Sequence, residues 1–224
     1  MSWWDSWRKS RLRKSTTGGS PPDRLRSVAL TLAEWTEDAR SAGLRVWRHS
    51  NGDVLSLAEP DGDLGVPDLG DQAGLQSWAR AVAEGGEGGL IELRLGRGTL
   101  GDTVAFIYKR LQRPAYVFTG MLVVLGAQVP YVWTVVSGER GMTGVREALI
   151  TAELMTAGTL TIESYRHSWA KDPYDVSYSG VDRSVLRFIS DDEQYDSRFP
   201  EHPLSKVRRI LASLPASIRI ESGP

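Results

Sequence analysis

Histidine is the side chain best placed to move a proton or hold a transition metal near neutral pH, and this chain has three: His49, His167 and His202. None has a His or Cys partner at ligand spacing, and neither HExxH nor HxH occurs. A metal held by carboxylates together with His167 or His202 stays open. A Ser-His-Asp site would need His167 or His202 as its base. No GxSxG elbow is present, however, and Tyr178-Ser179-Gly180 has no strand before it. Asp191, Asp192 and Glu193 stand side by side, but adjacent carboxylates in a polar stretch are usually just solvated. A hydrolase-type enzyme using Asp or Glu with His167 or His202 is therefore the alternative reading, and no catalytic residue is assigned.

Other chemistry falls away more quickly. The chain has no cysteine, which removes disulfides, thiolate zinc sites, iron–sulfur clusters and cysteine nucleophiles together. The acidic loop 59–71 (EPDGDLGVPDLGD) lacks the glycine and glutamate that an EF-hand starting at Asp61 would require; Val66 and Gln72 stand there instead. Glycines before a helix can cradle phosphate, yet GRGTLGD (96–102) has neither the GxGxxG spacing nor a following GK[ST]. It is expected to be a turn and a helix cap. No cofactor and no metal are expected.

With 41% hydrophobic and 25% charged residues and a net charge of −1, the 224-residue chain has ordinary globular usage and no overall field toward nucleic acid. Charge is local instead. MSWWDSWRKSRLRK sets Trp3, Trp4 and Trp7 beside Arg8, Lys9, Arg11, Arg13 and Lys14, followed by the linker STTGGSPP. Residues 1–22 thus form an arm, flexible or docked on a partner. Tryptophan beside a basic cluster also fits an interfacial anchor on anionic lipid, through residues 1–14, and a peripheral membrane protein is a further alternative. Five cations would hold nucleic acid only weakly and without sequence choice. No apolar run approaches the roughly 18 residues a spanning helix needs, and no signal-peptide pattern opens the chain, so the expected location is cytoplasmic.

The elements that must position everything else belong to one α+β domain, 23–224, with a core at about 44–157 and a loop-rich part at 158–224. Leu25, Val28, Leu32, Trp35 and Ala39 have helical spacing, with Asp23 as N-cap and Gly43 as the stop. Asn51-Gly52 between two alternating runs predicts a hairpin with a type I′ turn. Residues 75–84 read as a short amphipathic helix, 89–95 as a strand, and 99–112 as a helix stopped by Arg113-Pro114. AYVFTGMLVVL and PYVWTVVS, rich in β-branched and aromatic residues, form an antiparallel pair at the sheet's centre. A helix capped by Thr143 follows. The ionic run Glu139, Arg140, Arg146 and Glu147 is taken to order that strand-to-helix connection. Residues 165–182 read as a long aromatic surface loop presenting Tyr174 and Tyr178. Another helix from Pro203 and a final strand, SIRI, close the chain.

From the Asn-Gly hairpin onward, the order of elements, carried by AYVFTGMLVVL…PYVWTVVSGERGMTGVREAL, resembles the Mog1/PsbP group of α+β domains over about residues 44–157. The resemblance implies an antiparallel sheet with helices packed on its faces. It also implies a protein acting mainly by binding other proteins, in roles such as small-GTPase regulation, photosystem assembly or effector chaperoning. It transfers no functional residue. The expected function is therefore a non-catalytic adaptor, chaperone or assembly subunit of a bacterial multi-protein complex. Its partner is another protein, reached through Trp3, Trp4, Trp7, Arg8, Arg11, Tyr174 and Tyr178.

Overall fold

The computed structural model describes residues 25, 28–30, 34–41, 43–60, 62–98, 101–125 and 130–220. The arm, with Trp3, Trp4, Trp7, Arg8 and Arg11, and the linker lie outside the described residues. Within them, seven antiparallel strands make the main sheet. They are β2 (Trp35–Ser41), β3 (Leu44–His49), β4 (Val54–Ala58), β5 (Gly89–Gly98), β6 (Gly101–Gln112), β7 (Ala115–Val124) and β8 (Tyr131–Gly138), in the order β2-β3-β4-β8-β7-β6-β5. Four helices accompany them: α1 (Gln72–Gly85), α2 (Val145–Thr156), α3 (Ile162–Ser168) and α4 (Pro203–Ser217). Two short ribbons complete the α+β fold. In one, β1 (Val28–Leu30) pairs with β11 (Ile218–Ile220); in the other, β9 (Ala170–Lys171) pairs with β10 (Arg187–Phe188).

The central pair is as the residue types require, with Val117 opposite Gly138 and Val124 opposite Tyr131. Its flank is not. The helix expected over 99–112 is strand β6, paired along its length with β5 and β7, and Arg113-Pro114 makes the tight turn into β7. Val104, Phe106 and Tyr108 face one side of the sheet and Ile107 and Lys109 the other, and all five are buried. A strand covered on both faces loses the alternation that marks strands, so a helical spacing can be picked out of it by accident. GRGTLGD accordingly opens a hairpin rather than a helix, with Gly98 opposite Gly101.

The expected helix over 23–43 is likewise replaced, by β1 and β2. Gly43 does take a left-handed φ of 73°, but it serves the turn between Ser41 and Leu44. The pairing partners of β1 and β2 lie elsewhere in the chain, and that tertiary pairing overrides local spacing. The Asn51-Gly52 hairpin is present, with Arg48 opposite Val54. Its turn is wider than type I′: Gly52 has φ 83°, and the Asn51 side chain bonds Asp53 through both its amide and its carbonyl.

Each face of the sheet has its own core. On one, Trp47, Leu55, Leu57, Phe118, Leu122, Trp133 and Val135 meet Leu204, Val207, Leu211 and Leu214 of α4. On the other, Leu90, Phe106, Tyr108, Met121, Val123 and Val132 meet Ala79 and Ala83 of α1. Asp71 caps α1 by accepting from Gly74 N–H at 2.9 Å, and the acidic loop before it is pinned where Trp78 Nε1 donates to the Leu64 carbonyl at 3.1 Å.

The approach of α4 to β7 depends on Gly120. A Cβ there would lie 2.6 Å from Val207 Cγ1 and 2.7 Å from Leu211 Cδ1. Gly120→Val should destabilise the fold by about 1–3 kcal/mol through overpacking, read as a lowered urea midpoint with unchanged slope. An unchanged midpoint would mean that α4 sits further from the sheet.

Candidate functional site

The run Glu139–Glu147 leads from β8 into α2, and Glu139, Arg146 and Glu147 turn inward while Arg140 is exposed. Glu139 accepts from Tyr116 N–H with one oxygen and from Gly144 N–H with the other, each at 2.8 Å. It therefore ties β7 to the start of α2. The cap expected from Thr143 is absent: Gly144 is the N-cap residue, with no side-chain cap. Arg146 is 1% exposed and donates to Ser190 O (2.6 Å), to Asp192 O (2.9 Å), and to Asp196 Oδ1 and Ser205 Oγ (both 2.9 Å). Of the expected ionic run, Glu139 ties the strand-to-helix connection, whereas Arg146 holds the 190–205 segment and both Glu147 oxygens stay unpartnered.

Around it lies a buried network that the sequence did not show as one. Lys109, on β6, is 0% exposed; its ammonium donates to Asp191 Oδ2 at 2.6 Å and sits 3.0 Å from the Phe188 ring centre. Burial pulls its pKa down while Asp191 opposes the shift. Arg208 clasps Glu92 at 2.7 Å and reaches Asp196 at 2.9 Å; Lys206 meets Asp53 at 3.0 Å. A lone lysine ending an apolar, β-branched run was the one available signal for Lys109. It is lost once that run is read as a helix.

At the centre, Glu139, Glu147 and His202 bring their ligand-type atoms within 4.8 Å of one another. His202 Nε2 is 3.8 Å from Glu147 Oε1 and 4.0 Å from Glu139 Oε1, and the ring stands edge-on to Phe118. Burial, then the neighbouring Arg146, hold the His202 pKa down to about 3, so the ring is neutral. Nδ1 accepts from Leu204 N–H as the cap of α4, which leaves the proton on Nε2. His202 thus presents a donor, not a base, to the glutamates. Burial, then Asp191 and Glu139, push the Glu147 carboxyl up. Both Glu147 oxygens, Asp191 Oδ1, Ser190 Oγ and His202 Nε2 are buried without a hydrogen-bond partner. The half-buried Tyr116 is pushed up to about 12 by burial and by the same three carboxylates.

The remaining candidates are placed elsewhere. His167 is exposed on α3, while His49 bonds Glu34 at 3.0 Å and takes Asn51 N–H in the hairpin turn. Tyr174 fastens its hydroxyl to the backbone of Leu93, and Tyr178 donates to Glu84 beneath the Arg80 guanidinium, itself paired with Asp172. The polar ends of both tyrosines are thus engaged within the chain, and the aromatic loop is strapped to the edge of β5 and to α1. No helix among the described residues is long and apolar enough to cross a membrane.

One surface stands apart. With Arg146, Glu147 and Ile150 turned inward, α2 shows Val145, Ala148, Leu149, Ala152 and Met155 to solvent. Leu149 is 48% exposed and Met142, just before the helix, 84%. This is the reverse of the ordinary surface helix, whose apolar stripe faces the core.

No protein-family model matches the chain, and no curated protein matches it in sequence. Among solved structures it is similar to a point mutant of the protein Mog1, with a TM-score of 0.43 and 8% identity, covering 87% of this chain and 90% of that one. It is also similar to LpqN, described as involved in cell envelope biogenesis of Mycobacterium tuberculosis, with a TM-score of 0.30 and 12% identity, covering 61% of this chain and 80% of that one. No activity, partner or residue role is carried across from either Mog1 or LpqN.

Proposed function

We propose that the chain is a non-catalytic protein-binding subunit, an adaptor, chaperone or assembly factor of a bacterial complex, and that its partner docks an apolar segment on the outer face of α2. One observation carries this reading: α2 turns Arg146 and Glu147 into the protein while showing Val145, Ala148, Leu149, Ala152 and Met155 outward. An exposed apolar stripe is a liability unless something covers it. From Val145 to Met155 the stripe runs about 15 Å, at 1.5 Å per residue. It is edged by the Glu153–Arg198 ion pair, 2.5 Å, so the flank is already neutral and sets no like charge against a partner. The arm, with Trp3, Trp4, Trp7, Arg8 and Arg11, would add a second contact.

Leu149→Asp tests the docking face. An exposed substitution should change stability by no more than about 0.5 kcal/mol, while a partner co-purifying with the wild-type protein should be lost from the variant. Retention of that partner by a folded Leu149→Asp protein would refute the docking face. Removal of residues 1–20 tests the arm separately, with the same readout and an unchanged thermal transition.

A further inference from the structure

The buried network is unbalanced, and the imbalance falls at one place. Its four cations each close on a carboxylate: Lys109 on Asp191, Arg146 on Asp196, Lys206 on Asp53, and Arg208 on Glu92, at 2.6–3.0 Å. Among the described residues of this network, that leaves Glu139 and Glu147 without a Lys or Arg in ion-pair contact, with Lys109 acting on them only from farther off. Both face His202 Nε2, at 4.0 and 3.8 Å. Glu139 is at least served by two backbone N–H donors; Glu147 has only its own backbone N–H nearby, and neither of its buried oxygens makes a well-formed hydrogen bond. The His202 side chain is 9% exposed, and its Nε2, aimed at the same spot, is also unpartnered. Buried polar atoms nearly always have partners, and a buried surplus of negative charge is costly unless something positive joins it.

We propose that Glu139, Glu147 and His202 form a binding site for a divalent transition-metal ion of the zinc or manganese type. Two carboxylate oxygens and one imidazole nitrogen are the mixed N/O donor set such ions take. Bonds of about 2.1 Å at a tetrahedral angle would set the ligand atoms roughly 3.4 Å apart, so the two gaps to His202, 3.8 and 4.0 Å, need to close by about half an ångström, and the two glutamate oxygens, within 4.8 Å, draw together with them. With Glu147 ionised on binding, the two carboxylates match the charge of the ion. Lys109 and Asp191, already paired, act on the site through their charges without bonding any of its three ligands. Ligation through Nε2 places the ring proton on Nδ1, and this gives up the cap bond from Leu204 N–H, a long one at 3.3 Å. That exchange is the main cost of binding, and helix-end N–H groups can turn to water in return. The site is independent of the α2 docking face: its residues point inward and the docking stripe outward.

The test is calorimetric titration of the chelator-stripped full chain with zinc chloride and, separately, manganese chloride, with bound metal counted after desalting. One equivalent of at least one ion should bind, and it should raise the melting temperature. Glu147→Gln should weaken binding at least tenfold while folding as well as wild type without metal, since it removes an unpartnered buried carboxylate. His202→Asn keeps a good helix cap and should lose the metal as well. Failure of both ions to bind stoichiometrically would overturn the proposal. So would binding left undiminished in both variants, which would locate the ion elsewhere, for instance on the acidic loop 59–71.

Discussion

Arg146→Met should lower the stability of the protein by about 3–5 kcal/mol, the usual consequence of breaking a buried ion pair by removing one partner. Arg146 is fully covered, and its guanidinium bonds in three directions to the segment 190–205. Methionine fills much of the same volume but leaves the carbonyls of Ser190 and Asp192 without their donor. Asp196 would then depend on Arg208 and Ser205 alone. Lysine should rescue little, since one ammonium cannot reproduce a planar fork aimed at several acceptors. Urea denaturation followed by far-UV circular dichroism reads the change, and a loss below 1 kcal/mol would mean that α2 is held mainly by Ile150 and its apolar neighbours.

Lys109→Met should cost a similar 3–5 kcal/mol, and here the cause can be isolated. The substitution strands Asp191, 0% exposed, with only the Phe188 N–H at 2.7 Å on the oxygen the ammonium used to hold. Adding Asp191→Asn removes the stranded charge and keeps an acceptor for Phe188. The double variant should therefore recover most of the loss, with a coupling of about 2 kcal/mol or more across the cycle. If the two losses simply add, Lys109 contributes by packing on Phe188 and Tyr116 and not by its charge.

These two residues show where the sequence was readable and where it was not. Local chemistry was plain: Asn51-Gly52 forms its hairpin, β7 and β8 pair, α1 spans the predicted amphipathic stretch, and Pro203 starts the last helix. Long-range pairing was not. β6 is apolar on both faces because α1 and α4 cover opposite sides of the sheet, and nothing within 99–112 says so. β1 exists only because β11, nearly two hundred residues away, pairs with it. The site suffered the same way. Glu139, Arg146 and Glu147 were visible as a cluster, but Lys109, Asp191 and His202 join them only through sheet register and the path of the 188–204 segment. The outward apolar stripe of α2 was legible as periodicity. Its direction was not, because helical spacing says which residues share a face and not which face is covered.

The central claim is that this protein works by contact through the outer face of α2. A photo-crosslinking residue placed at position 149 in the native host tests it most directly, with the same residue at Arg97, exposed on the distant β5–β6 hairpin, as control. The account predicts one discrete protein adduct from position 149 and none of that mass from position 97. An absence of any adduct at 149, or the same adducts from both positions, would contradict it.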